Sequence, residues 1–180
     1  MLEIHVKGKE IFEESTYEFS TVKDTTLKLE HSLVSVSRWE EKYKKPFLTE
    51  QSKTREETLY YIECMTINNN VDKRIYNCIS DEDIERVNEY IADEKTATWF
   101  TDYENVHNNN GEQVTSELIY YWMIINRIPF ETQKWHLSRL MTLIKICNIK
   151  NSPPKKMSER ETLERYKQIN EKRRKKEVTK

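Results

Sequence analysis

Apolar and polar residues alternate in the first part of the chain, and this period of two predicts β-strands. The alternation runs through residues 2–7, and Gly8-Lys9 follows as a turn. It recurs at Tyr17 and Phe19, and again over 27–29 and 33–36. Successive side chains of a strand point to opposite faces, so each segment can bury one face. We expect a small antiparallel sheet over roughly residues 1–37, with its apolar face resting on helices.

A helical period replaces this alternation further along, and capping motifs mark where the helices begin. Residues 37–43 predict one or two helical turns before Pro46. Residues 54–57 (TREE) and 80–83 (SDED) each place a hydroxyl before a turn rich in acids. That arrangement satisfies the free amides of a helix start and suits its dipole. A third such motif, SERE, lies at 158–161.

The most apolar stretch runs from Thr115 to Lys150 and predicts a helical hairpin that forms the core. Thr115 or Ser116 is expected to cap a first helix that ends near Arg127, where Pro129 follows. Thr132 is expected to cap the second helix. The second helix places four apolar side chains at i, i+3, i+4 and i+7, which are Leu137, Leu140, Met141 and Ile144.

These elements predict an α+β fold, with a small N-terminal antiparallel β-sheet, a mainly α-helical domain and a polar C-terminal helix. Asn151-Ser152-Pro153-Pro154 is the sharpest boundary in the chain. We therefore divide the chain into a β region at 1–40, packed on the helices, a helical core at 41–150 and a charged tail at 151–180.

Charge is distributed unevenly along the chain, although the net charge is only −1. Residues 151–180 contain eleven Lys or Arg and five Glu, which gives 11 − 5 = +6 and leaves −1 − 6 = −7 for the rest. Such asymmetry often marks a tail that binds a partner. The densest basic cluster of this tail is Lys172, Arg173, Arg174, Lys175 and Lys176.

The residues that could carry catalysis or bind a metal show no suitable spacing. The three cysteines and four histidines are scattered, and no CxxC or HExxH motif occurs. His136 and Cys147 are expected on one helix, roughly 16 Å apart along its axis, which is too far for a catalytic dyad. We predict no catalytic residues, no cofactor and no metal, with His136 hydrogen-bonded at a helix start. The thiols are expected to be reduced, and no apolar run approaches the ~20 residues of a membrane helix.

Aromatic side chains are dense in the hairpin and have two interpretations. Aromatics at helical spacing usually belong to a core, but Tyr and Trp are also the residues that interfaces favour. If part of the hairpin stays exposed, it forms a groove for a partner helix. The candidate binding residues are Tyr120, Tyr121, Trp122, Trp135, Leu137 and Met141.

Several short sequence motifs carry a family resemblance. They are ELIYYWM at 117–123, IPF at 128–130, QKWHL at 133–137, RL at 139–140, LI at 143–144, CNIK at 147–150, PPKKMS at 153–158, LEHSLVSVSRWE at 29–40 and KPFL at 45–48. Together they resemble a family of small proteins of tailed bacteriophages, the tail assembly chaperones. The resemblance covers about residues 27–170 in pieces.

The resemblance implies a non-catalytic function in the cytoplasm of the infected host cell. Such a chaperone binds the long, aggregation-prone tape measure protein and keeps it soluble while tail tube subunits polymerise around it. Other tail proteins and self-association are alternative partners, and no membrane partner is expected. Two other functions stay open from the residues alone: a structural tail or baseplate component, and a nucleic-acid-binding protein that uses the basic tail.

Overall fold

The computed structural model describes residues 1–13, 17–49, 51–98, 113–152 and 167. It confirms the α+β class, with antiparallel strands first and helices after them. The chain divides into two compact units, Met1–Asn148 and Ile149–Lys180. The first unit contains all of the predicted β region and nearly all of the predicted helical core. Three predicted features lie outside the described residues: the capping motif at 158–161, nearly all of the polar C-terminal helix and the basic cluster at 172–176.

Four strands form two separate two-stranded sheets instead of the single sheet expected. Strand β1 (Leu2–Val6) pairs antiparallel with β4 (Thr25–Leu29), and β2 (Glu10–Glu13) pairs antiparallel with β3 (Glu18–Thr21). The first pair buries alternate side chains, as the period of two requires. Its buried residues are Ile4, Val6, Leu27 and Leu29.

The free edge of β4 is covered by the chain that follows the second helix. Leu29 forms a bridge with Thr66, and the amide of Ile67 donates to the carbonyl of Lys28 at 2.8 Å. Asn68 continues this contact, because its side chain accepts from the Lys28 amide at 2.6 Å. The small sheet is thereby fixed to the helical part of the chain.

The prediction of a strand over 33–36 was wrong, because these residues form the first turn of helix α1 (Leu33–Tyr43). Ser32 caps this helix: its hydroxyl accepts from the Ser35 amide, and the Ser35 hydroxyl accepts from the Ser32 amide. This reciprocal bonding favours a helix start over an extended chain. The expected boundary at residue 40 therefore falls inside α1.

The two next helices begin where their capping motifs predicted. Helix α2 (Arg55–Met65) is capped by Thr54 in a full capping box, and Ser80 caps α3 (Asp81–Ala92). A 3₁₀ helix, Lys73–Cys78, lies between them and was not predicted.

The apolar hairpin is shorter and more broken than expected. Helix α4 (Ser116–Ile125) is capped by Thr115, which is one of the two residues that were expected to cap it. A 3₁₀ helix, Phe130–Lys134, follows before α5 (Leu137–Asn151) begins. Thr132 therefore caps nothing in α5, since its hydroxyl donates to the carbonyl of Pro129 at 2.7 Å.

The start of α5 is fixed by the chain segment that precedes α1. His136 forms a bridge with Ser32, and the amide of Leu137 donates to the carbonyl of His31 at 2.8 Å. Trp39 and Ile62 are among the fully buried side chains of the core.

No helix of the described residues is both long and apolar enough to span a lipid bilayer.

Candidate functional site

Helix α4 is apolar on nearly all sides, yet it buries only one narrow side. Its buried residues are Ser116, Ile119 and Met123. A helix that is apolar all round is normally enclosed by other elements, because exposed apolar area is unfavourable in water. The remaining apolar surface of α4 therefore calls for a functional explanation.

The side of α4 away from the core carries an apolar row, which we call the α4 stripe. Its members are Leu118, Tyr121, Trp122 and Ile125, spaced at i, i+3, i+4 and i+7. Tyr121 and Ile125 are 55% and 57% exposed, whereas Leu118 and Trp122 are half-buried. This spacing places the four side chains on one face of the helix.

The apolar surface extends from α4 onto the 3₁₀ helix that follows it. The ring of Phe130, which is half exposed, lies 6.2 Å from the ring of Tyr120. The Tyr120 hydroxyl donates to the side-chain oxygen of Gln133 at 2.8 Å. Beyond it, the guanidinium of Arg139 lies 4.3 Å from the centre of the Trp135 ring.

The structure separates the six predicted binding residues into three groups. Tyr121 and Trp135 are exposed. Tyr120, Trp122 and Met141 are half-buried and pack against the core. Leu137 is only 3% exposed, so its assignment to an accessible surface was wrong. The first turn of α5 draws it into the core.

Sequence reasoning missed four apolar residues of this surface. Leu118 and Ile125 belong to the α4 stripe, Ile124 lies beside it, and Phe130 follows on the 3₁₀ helix. The spacing from Leu118 to Ile125 was a signal that could have found two of them. It was not decisive, because Ile119 and Met123 define a second apolar row on the same helix.

A buried carboxylate holds the beginning of α4 in place. Glu40, on α1, accepts hydrogen bonds from the amides of Phe47 and Ser116, both at 2.8 Å. Hydrogen bonds to a charged acceptor are among the stronger ones in proteins. At the other end of α4, the side chain of Asn126 donates to the side-chain oxygen of Asn148 at 2.9 Å. The α4 stripe is thus presented by a helix fixed at both ends.

A second notable feature is a buried pair of histidines. The rings of His31 and His136 lie 5.2 Å apart, edge to face. Nδ1 of His31 is 2.5 Å from the Tyr61 hydroxyl, and Nε2 of His136 is 3.1 Å from the carbonyl of Tyr90. Nδ1 of His136 is 2.8 Å from the Ser138 hydroxyl. The pair therefore connects α2, α3 and α5 with the segment before α1.

Burial keeps this histidine pair uncharged. Burial lowers the pKa of His31 from 6.5 to about 3, and the charge of the neighbouring His136 has a smaller effect in the same direction. Burial also lowers the pKa of His136, although the hydrogen bond to Tyr90 and the nearby Glu30 carboxylate act in the opposite direction. Desolvation disfavours the charged imidazolium, which explains both directions. Both rings are enclosed by the fold, so their arrangement suits packing.

An open groove of mixed charge lies between α1 and the start of α4. It has a volume of about 440 Å³ and is lined by Ser37, Glu40, Glu41, Lys44, Lys45, Pro46, Thr115 and Glu117. Among the described residues, no cysteine or histidine lines it. Within the described ranges, no group of three His, Cys, Asp or Glu side chains is placed to hold a metal ion.

Comparison with known proteins supplies no relative. No protein-family model, curated protein or solved structure matches the chain. Function must therefore be inferred from the surfaces of the molecule and from the motifs of its sequence.

Proposed function

We propose that this chain is a non-catalytic protein that binds an apolar segment of a partner through the α4 stripe. More particularly, we propose a tail assembly chaperone of a tailed bacteriophage, whose partner is the tape measure protein. The exposure of the α4 stripe is the observation that supports the binding function. The sequence motifs that resemble the chaperone family supply the partner and the host cytoplasm as the place of action.

The shape of the α4 stripe suits a helix of a partner. A row at i, i+3, i+4 and i+7 is how helices dock along one another in apolar grooves. Ten helical residues span about 15 Å, so the stripe can engage roughly three turns of a partner helix. A long partner with a repeated apolar face would offer many such segments, which suits a chaperone that binds in several copies.

The size of the stripe favours reversible binding. Tyr121 and Trp122 can each bury about 150–250 Å², and together with the aliphatic Leu118 and Ile125, all four being partly exposed, they offer on the order of 400 Å². At about 25 cal/mol per Å², burial of that area yields on the order of 10 kcal/mol. Association itself costs about 4–15 kcal/mol, so each contact is weak. Weak contacts let polymerising tube subunits displace the chaperone.

The test is co-expression of the tagged chain with the tape measure protein of its own phage, followed by a pull-down and a solubility assay. We expect the intact chain to keep the large protein soluble and to co-purify with it. Tyr121→Ser combined with Ile125→Ser should abolish both effects. Ile67→Ser is the matched control, because Ile67 is similarly exposed, at 54%, but lies outside α4.

Two results would overturn the proposal. One is a large protein that stays insoluble and unbound in the presence of the intact chain. The other is mass spectrometry of purified virions that finds this chain in a fixed copy number, which would make it a structural tail component. If the double variant still captures the tape measure protein, the chaperone function is kept, but its binding surface lies outside the α4 stripe.

A further inference from the structure

We infer that a second copy of this chain covers the α4 stripe in the absence of a partner, through antiparallel pairing of the two α4 helices. The inference rests on the proposed function in one respect, because it takes the α4 stripe to be the binding surface. The second copy would then compete with the partner for the same side chains. The free chaperone would be a dimer that dissociates when the partner binds.

The apolar row of α4 is complementary to itself when it is reversed. A two-fold axis between Tyr121 and Trp122 brings Leu118 of one copy opposite Ile125 of the other. The same axis brings Tyr121 opposite Trp122 of the second copy. Large aromatic side chains then meet at the centre, with aliphatic side chains at both ends, which is the arrangement of a well-packed interface.

The charges at the two ends of α4 specify the antiparallel direction. Glu117 is exposed in the first turn, and Arg127 is exposed two residues after the last helical residue. No charged residue occurs between them. In the antiparallel pair, Glu117 of each copy approaches Arg127 of the other, so both ends carry opposite charges. A parallel pair would place like charges together at each end.

Arg127 is free for this contact, and Glu117 is exposed, although its carboxylate also accepts a hydrogen bond from the Ser116 hydroxyl at 3.3 Å. Within the described part of the chain, the Arg127 side chain makes no hydrogen bond or ion pair. A hydrogen bond from its own backbone amide lowers the pKa of Glu117, so this carboxylate is ionised at neutral pH. The helix dipoles act in the same direction, since antiparallel neighbours place opposite partial charges side by side.

The small area of the contact predicts a weak dimer. Stable protein interfaces bury about 1,200–2,000 Å² in total, which two ten-residue helices do not reach. We therefore expect dissociation over an accessible concentration range. A weak dimer also allows a partner with many binding segments to replace the second copy by mass action.

Charge reversal tests the pairing with the full chain. Sedimentation velocity over a concentration series should show monomer and dimer for the intact protein. In a dimer of Glu117→Arg, two positive side chains meet at each end of the helix pair. In a dimer of Arg127→Glu, two negative side chains meet there. Each variant alone should therefore dimerise at least about tenfold more weakly than the intact protein. The two variants mixed together should form a heterodimer, and E117R/R127E in one chain should restore self-association. Lys134→Glu, an exposed substitution outside α4, is the control.

The results separate the pairing from the proposed function. A chain that stays monomeric at all concentrations, or single reversals that dimerise like the intact protein, would overturn the pairing. A mixture that forms no heterodimer would also overturn it, provided that circular dichroism shows both variants folded. Capture of the tape measure protein by a monomeric chain would refute the dimer alone, whereas a dimer that captures nothing would refute the proposed function alone.

Discussion

The buried pair His31 and His136 should make the fold sensitive to mild acid. His31 has a pKa near 3 in the folded chain, against 6.5 for an ordinary histidine. Between these two values the unfolded chain binds more protons than the folded chain. Stability must therefore fall as the pH falls from about 6.5 toward 3, and His31 adds no further loss below that. His136 acts with the same sign, because its pKa is also lowered.

The expected loss in the free energy of unfolding depends on how far the assay pH lies below the pKa of an ordinary histidine. A measurement at pH 5 is made 1.5 pH units below 6.5, and each unit corresponds to about 1.4 kcal/mol. His31 alone should thus lower the free energy of unfolding by about 2 kcal/mol between pH 8 and pH 5. Carboxylates contribute little in this interval, because their unfolded pKa values lie near 4.

Urea unfolding followed by tryptophan fluorescence at pH 8 and pH 5 measures this loss directly. His31→Gln removes the titrating group and should reduce the difference between the two pH values by about 2 kcal/mol. His5→Gln is the matched control, because it makes the same substitution at an exposed histidine. The reasoning fails if the intact protein is equally stable at both pH values. It also fails if the His31→Gln protein loses as much stability between pH 8 and pH 5 as the intact protein does.

Two further predictions concern single contacts of the fold. Glu40→Gln should lower the free energy of unfolding by about 2 kcal/mol in urea titrations, because an amide group presents a donor to a buried backbone N–H. Glu41→Gln, at the exposed neighbouring position, should change it little. Gly8→Ala should cost about 2–3 kcal/mol in the same assay, since an added Cβ would lie 1.8 Å from the carbonyl oxygen of Val22. Lys9→Ala is its control, and a stable Gly8→Ala protein would contradict the geometry.

Local chemistry explains the parts of the fold that could be predicted. The caps at Thr54 and Ser80 depend on residues within one turn of each other, so the sequence shows them directly. The strands β1 and β4 were predicted because their alternation is regular. The start of α1 was missed, since Ser35 stands where a capping box usually has Glu or Gln. Four residues of mixed polarity at 33–36 cannot distinguish a strand from a helical turn.

Long-range contacts explain what could not be predicted about the candidate site. Both sides of α4 are apolar, so its own sequence does not say which side faces the core. Contacts from Glu40 and Asn148 settle that orientation, and each lies far from α4 along the chain. Leu137 and Met141 likewise look equivalent on one helix face. Leu137, which directly follows the bridge between Ser32 and His136, is buried, whereas Met141 one turn later is half-exposed.

The contact between Glu40 and Ser116 spans 76 residues of sequence, and this has a consequence for the order of folding. Closing a loop of that length has an entropic cost that the contact must offset. During synthesis, α1 is complete long before its carboxylate can meet the amide of Ser116. A fragment that ends before α4 would lack the Ser116 amide, so the Glu40 carboxylate would keep only its hydrogen bond from the Phe47 amide. Such a fragment should therefore be less stable than the full chain.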